Sequence, residues 1–221
     1  MIDAVVFDVD GTLVDTNYQH ALAWFRAFRR FDVTPPVWRI HRAIGMGGDQ
    51  LVKAVAGDDV EEKYGEELRT AWTEEFDEFL PQVQPFAGAE PLLKEIRKRG
   101  LTLVLASSGE EQHVEHYLDL INGRELAAAW TTSADAEQTK PAPDLIETAM
   151  HKMDTTNAVM IGDSVWDAKA AEKAGIATYA VRTGGFSIEE LETAGARKVY
   201  DSLEDLQGDL DRVIGAGGTD S

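Results

Sequence analysis

The sequence contains no cysteine in its 221 residues. Disulfides are therefore excluded, and so is any zinc site built on thiolates. It also lacks an uninterrupted apolar run of the ~20 residues that a membrane-spanning helix needs. No basic segment precedes the first apolar stretch, which Asp8 and Asp10 interrupt, so a signal peptide is not expected. Positive charge is scarce: 21 Lys and Arg face 40 Asp and Glu, for a formal net charge of −19. Such a surface repels nucleic acid and anionic lipid, so neither is an expected partner. These absences together fit a cytoplasmic protein.

What is present supports a packed core. Hydrophobic residues make up 43% of the chain, and its length suits one sizeable domain, or a core with a smaller insert. The acid excess is spread along the chain rather than gathered in a tail. With few lysines to match it, this composition suggests adaptation to high salt, where screening quiets self-repulsion; the alternative is an ordinary acidic enzyme.

The hydrophobic pattern divides the chain. Residues 16–31 read as a helix, with Ala21, Trp24, Phe25 and Phe28 at helical spacing and Asp15 or Thr16 as its cap. Pro35-Pro36 breaks the pattern. Residues 37–56 form a second helical stretch, interrupted by Gly45-Met46-Gly47-Gly48. Tyr64, Leu68, Trp72, Phe76 and Phe79 make a long stripe that ends at Pro81 and Pro85. From residue 86 strands and helices alternate. Strands are expected at 101–106, 127–131, 158–161, 176–181 and 198–200. Helices are expected at 89–99, 110–122, 143–153, 164–174 and 203–214, with a further one opened by the capping box of Ser187 and Glu190. This alternation predicts an α/β fold, a parallel sheet with helices on both faces, whose active site lies at the carboxyl ends of the strands.

The unusual polar residues do follow strand ends. The first strand, Ala4 to Phe7, runs into Asp8-Val9-Asp10-Gly11-Thr12. Alternation along extended chain puts Asp8 and Asp10 on one side, where like charges raise each other's pKa and a cation offsets the cost. Hard oxygen ligands suit Mg²⁺. The strand ending at Ala106 runs into Ser107-Ser108-Gly109. Lys140 sits in Thr139-Lys140-Pro141. The strand ending at Ile161 runs into Gly162-Asp163-Ser164, with Asp167 one turn on.

In that order these four segments resemble the motifs of the haloacid dehalogenase superfamily of phosphotransferases. The resemblance covers nearly the whole chain. It implies a Rossmann-like parallel-sheet core over residues 1–15 and 85–214 and a small all-helical cap domain over 16–84; the composition of residues 215–221 separately reads as a disordered tail. It also implies Mg²⁺-dependent hydrolysis of a small phosphorylated metabolite by a monomer or homodimer. In such a reaction Asp8 is the nucleophile and forms an aspartyl-phosphate. Asp10 is the acid and then the base. Ser107 bonds a phosphoryl oxygen, and Lys140 keeps Asp8 ionised. Asp8, Asp163 and the backbone carbonyl of Asp10 would ligate the metal, with Asp167 behind them. Because carbon–halogen cleavage needs no leaving-group acid, Asp10 argues against dehalogenation.

Substrate choice is expected in the cap. Gly11, Thr12, Ser108 and Gly109 are the expected substrate-binding residues of the core, and His20, Gly47 and Gly48 those of the cap. The loop from Gly45 to Asp49 resembles that of phosphoglycolate phosphatase-like members. The segment around His20 resembles the start of the cap in beta-phosphoglucomutase, where a histidine orients the acid/base. Arg39, His41 and Arg42 are candidates for a carboxylate or second phosphate, and with Lys53 the cationic groups nearest the loop. The reading is a phosphatase of phosphoglycolate or sugar phosphates. A sugar-phosphate mutase and a non-catalytic ligand-binding protein are the alternatives.

Overall fold

Ala4–Phe7 is a run of four apolar residues, and every one of them is buried. A strand buried on both faces belongs inside a parallel sheet covered on both sides. In the structure, a computed structural model describing residues 2–215, this strand (β1) lies near the middle of a six-stranded sheet. The other strands are β2 (Thr102–Ala106), β3 (Ala129–Thr131), β4 (Ala158–Gly162), β5 (Ala177–Val181) and β6 (Ala196–Tyr200). All pairs are parallel, in the order β3-β2-β1-β4-β5-β6. Connections leave β1 toward β2 on one side and reach β4 on the other. Strand order therefore reverses at β1, where such sheets open a crevice at their carboxyl ends.

Four helices precede the second strand's own connection: α1 (Asn17–Arg30), α2 (Val37–Ala43), α3 (Gly48–Ala56) and α4 (Asp58–Asp77). Then follow α5 (Ala89–Lys98), α6 (Glu111–Leu120), α7 (Gly123–Leu126), α8 (Asp144–Lys152), α9 (Val165–Lys173), α10 (Ile188–Thr193), α11 (Leu203–Gly208) and α12 (Leu210–Gly215). Strand alternation sorts the core into two layers. Val5 and Phe7 join Leu103, Leu105, Val159 and Ile161 on one face, under α5, α6, α11 and α12. Ala4 and Val6 join Val104, Ala106 and Met160 on the other, under Ile146 and Ala149 of α8 and Ala170 and Ala171 of α9. The first four helices keep a cluster of their own, including Trp24, Phe28, Ile40, Leu51, Val55 and Leu68. Phe76 and Ala23 instead pack into the first core layer.

The chain leaves for these helices and returns along two adjacent extended segments. Val14 bridges Pro85, Asp15 N–H donates to Gln84 O (2.9 Å), and Phe86 N–H donates to Leu13 O (2.9 Å).

Several local expectations need correction. Thr16 holds the N-cap position of α1 but makes no cap bond; its hydroxyl donates to Asp10 Oδ1 (3.3 Å) instead. The helix expected over 203–214 is two, divided at Asp209. Gly208 and Asp209 are weak helix formers, and Lys198 and Tyr200 hold the Asp209 carboxylate at 2.6 and 2.9 Å. Gly215, expected in the tail, ends α12, while residues 216–221 lie outside those described. The capping box of Ser187 and Glu190 is formed. Among the described residues, no helix is long and apolar enough to cross a membrane.

Candidate active site

Register brings the polar loops together. Phe7 lies opposite Leu105 on one side and Ile161 on the other, so Asp8, Ser107 and Asp163 emerge within two residues of one sheet edge. Gly11 makes the turn that follows. It has φ +78°, and a Cβ there would collide with the Asn17 and Asp163 side chains.

Lys140 reaches into this edge with its side chain 1% exposed. Its ammonium pairs with Asp8 Oδ1, lies 2.8 Å from Asp167 Oδ1, and donates to Ala106 O at 3.3 Å. Burial works against its charge, but the Asp167 and Asp8 carboxylates outweigh that and raise its pKa. The pKa of Asp8 rises too. Burial drives its carboxyl well above the usual range; Lys140 opposes this, and the charges of Asp167, Asp163 and Asp10 add to it. Asp163 is pushed up to about 7, first by burial and then by Asp167, against the bonds from Thr12 and Asn17.

Ligand atoms of Asp8, Asp163 and Asp167, all buried, lie within 4.8 Å of one another. One ammonium faces three clustered carboxylates, and burial with mutual repulsion raises the pKa of Asp8 and of Asp163. A hard divalent cation fits this donor set. Asp167 also closes α9 from within, since its Oδ2 accepts from Ser164 N–H (3.0 Å) and Ser164 Oγ (2.6 Å). Thr12, expected on the substrate, donates to Asp163 Oδ1 (2.8 Å) and Asp8 Oδ2 (3.2 Å) and so ties two of these carboxylates together.

The Asp10 side chain stands apart from that group. His20 Nε2 lies 2.9 Å from its Oδ1, and Ser107 Oγ donates to its Oδ2 at 2.8 Å. Burial raises its pKa, yet His20, Ser107 and Lys140 outweigh burial and the net shift is downward. Ser107, expected to bond a phosphoryl oxygen, thus bonds the neighbouring acid here. The His20 ring stacks on Phe76 (4.0 Å between centroids), which fixes its plane.

Above these groups lies a cavity of about 280 Å³. Asp8, Asp10, Ser108, Gly109 and Thr139 line it from the sheet side; His20, Trp24, Gly45 to Asp49, Arg69 and Trp72 line it from the helices. Gly47 rests on Thr139 so closely that a Cβ would overlap that side chain. Asp49 accepts from the Thr139 backbone N–H (3.3 Å) and from its hydroxyl.

A family model described as haloacid dehalogenase-like hydrolase matches residues 5–181. The chain belongs to that family. This hydrolase is 27% identical to the N-acetylmuramic acid 6-phosphate phosphatase of Pseudomonas aeruginosa, over 96% of both chains. It is 26% identical to the phosphoglycolate phosphatase of Vibrio vulnificus, again over 96% of both. A solved hydrolase from Pseudomonas syringae superposes with a TM-score of 0.89 at 31% identity, covering 95% of this chain and 98% of that one.

The cationic residues expected near the glycine loop do not reach the hydrolase's cavity. Arg42 pairs with Glu190, and His41 Nε2 lies 3.1 Å from Gly184 O. Lys53 pairs with Asp58 at 2.7 Å, and exposed Arg39 lies over the Trp38 ring. The cation that does line it, Arg69, was missed by the sequence reading. Its signal was Gly65 in mid-helix, one turn earlier, where a side chain would crowd Glu61 and Arg69. Asn17 was missed too; its Nδ2 donates to Asp163 Oδ2 at 3.1 Å.

Proposed function

We propose that this hydrolase is a Mg²⁺-dependent phosphatase of small phosphomonoesters, such as phosphoglycolate or sugar phosphates, acting through an aspartyl-phosphate on Asp8. The observation that carries the reading is the division of labour between two aspartates, Asp8 buried and Asp10 half-buried. Asp8 meets an ammonium and other carboxylates, whereas Asp10 meets His20 and Ser107. Groups held in unlike environments suit unlike roles.

An Asp8 oxygen attacks phosphorus, and the bond from phosphorus to the ester oxygen breaks. Asp10 gives its proton to that leaving oxygen. It then takes a proton from the water that attacks the aspartyl-phosphate, and phosphate leaves Asp8 free. His20 and Ser107 hold Asp10 in the ionised form that the second half requires. When the Ser107 hydroxyl turns to a phosphoryl oxygen, Asp10 loses one stabilising bond and its proton affinity rises, which suits the first half. Lys140 lies against the attacking carboxylate, where it offsets charge on the phosphoryl group. Asp8, Asp163 and the Asp10 carbonyl would hold Mg²⁺, with Asp167 behind. When bound, the ion supplies charge neutralisation at the phosphoryl oxygens. The relatives named above as phosphatases support the same reading.

Phosphate release from a panel of phosphoglycolate and hexose phosphates, with Mg²⁺ and then with excess chelator, tests the proposal. Release that persists unchanged in chelator would remove the metal from it.

One observation favours a second reading, a sugar-phosphate mutase. A mutase needs a cap cation for a second phosphate, and Arg69 lines the cavity. Phosphorus NMR of beta-glucose 1-phosphate with Mg²⁺ and catalytic bisphosphate separates the two. The phosphatase yields free phosphate; accumulation of glucose 6-phosphate would favour the mutase.

A further inference from the structure

Among the described side chains lining the cavity, Arg69 is the one lysine or arginine, against Asp8, Asp10, Asp49, Glu110 and Glu137. Lys140, below the cavity floor, already serves the reacting end. The fold makes room for Arg69. Its Cγ and Cδ lie 3.2 and 3.3 Å from where a Cβ on Gly48 would stand, so the bare backbone of Gly48 lets the stem pass. Glu61 fixes the head through Nη1 (2.8 and 3.2 Å), and the same nitrogen donates to Gly48 O (3.4 Å). All three bonds leave from Nη1. Nε and Nη2 make no hydrogen bond to any described residue, and the side chain is 31% exposed.

Trp72, three residues on and therefore on the same helix face, lines the same cavity with its ring. Of the other acids lining the cavity, Asp49 accepts from Thr139, and Glu110 accepts from the Thr73 hydroxyl (2.6 Å). The two unfilled nitrogens of this fixed guanidinium call for a ligand rich in acceptor oxygens, and a guanidinium fork matches a carboxylate in two bonds. Trp24, Ile44, Met46 and Leu51 complete an apolar wall suited to a short carbon skeleton or one face of a sugar ring.

We infer that the substrate bears a carboxylate as well as its phosphate, and that Arg69 binds this carboxylate and sets the preference for it. The inference rests on the phosphatase reading and specifies its substrate class. Arg69 acts in binding and takes no part in the chemistry at phosphorus.

The test uses two ester pairs that differ by a carboxylate: phosphoglycolate with ethyl phosphate, and N-acetylmuramic acid 6-phosphate with N-acetylglucosamine 6-phosphate. p-Nitrophenyl phosphate serves as a general ester. The wild-type protein with Mg²⁺ should prefer the carboxylate member of at least one pair by roughly 10- to 100-fold in kcat/KM, the worth of hydrogen bonds to a charged group. Arg69→Met keeps the stem against Gly48 and should bring that ratio close to one, mainly through KM. Arg69→Lys should restore part of it. Lys53→Met, away from the cavity, should leave the ratio unchanged. Wild-type ratios near one in both pairs, with p-nitrophenyl phosphate turned over, would overturn the inference and leave the phosphatase reading standing. So would a ratio unaltered in folded Arg69→Met. No release from any of the esters would sink both.

Discussion

Lys140 lies between two carboxylates that burial would otherwise leave unmatched, so deleting it and deleting one of them have opposite electrostatic effects. Lys140→Met leaves Asp8, Asp163 and Asp167 clustered without their ammonium. Breaking a buried pair from one side should lower stability by about 3–5 kcal/mol, read as a shift in the urea unfolding midpoint without divalent ions. A loss below about 1 kcal/mol would mean that these charges are far better solvated than their burial suggests. Asp8→Asn removes one like charge, and Lys140 keeps Asp167 at 2.8 Å. That variant should fold with undiminished stability and lose about 10⁴-fold or more in turnover, as when a nucleophile is removed. Near wild-type turnover in freshly purified variant would refute Asp8 as nucleophile. Asp8 and Asp10 were legible in the sequence because a one-residue gap at a strand end fixes their side. Thr12 was legible as a site residue but not in its bonds to Asp8 and Asp163, and Asn17 and Arg69 were not legible at all. What Asn17 and Arg69 touch is decided by how α1 and α4 come back to the sheet edge, and no local spacing encodes that.

The stretch joining α2 to α3 is a turn whose backbone is pressed against the loop that carries Lys140. Gly47 has an ordinary extended conformation, φ −73° and ψ 165°, so glycine is not needed there for its dihedrals. It is needed for proximity, because a Cβ would overlap the Thr139 side chain. Gly47→Ala should therefore leave helix content and unfolding nearly unchanged, while lowering kcat/KM by about tenfold through a small misplacement of the cap loop. Unchanged kinetics would mean that this seating is slack. The same distinction explains which elements could be read in advance. β1, β2 and β4 declare themselves as apolar runs buried on both faces, and the stripe of α4 declares a helix. The break at Asp209 and the idle cap hydroxyl of Thr16 depend on partners from β6 and from the loop after β1, remote in sequence or committed to the site.

Across the whole molecule the formal charge of −19 is the dominant electrostatic fact. Surface pairs such as Arg26–Glu78 and Arg30–Glu74 are worth about 0–1 kcal/mol each and weaken in salt, whereas repulsion among unmatched carboxylates is relieved by it. Relief should win, so the melting temperature should climb as KCl rises from millimolar to molar. A flat or falling curve would identify an ordinary acidic protein. Mg²⁺ at a hundred times its dissociation constant should add about 2.7 kcal/mol by mass action, seen as a further rise in melting temperature that Asp163→Asn reduces. The paired segments through which the chain leaves and re-enters the sheet, Leu13 to Asp15 beside Gln84 to Phe86, have a consequence of another kind. With two neighbouring splice points, residues 16–84 are expected to exchange as a unit. Grafting a related helical segment between them would conserve the sheet register and the Asp8–Lys140 pair while renewing the walls that select the ester. Excising that stretch would instead strip Phe76 and Ala23 from the core, so replacement should be tolerated where removal is not.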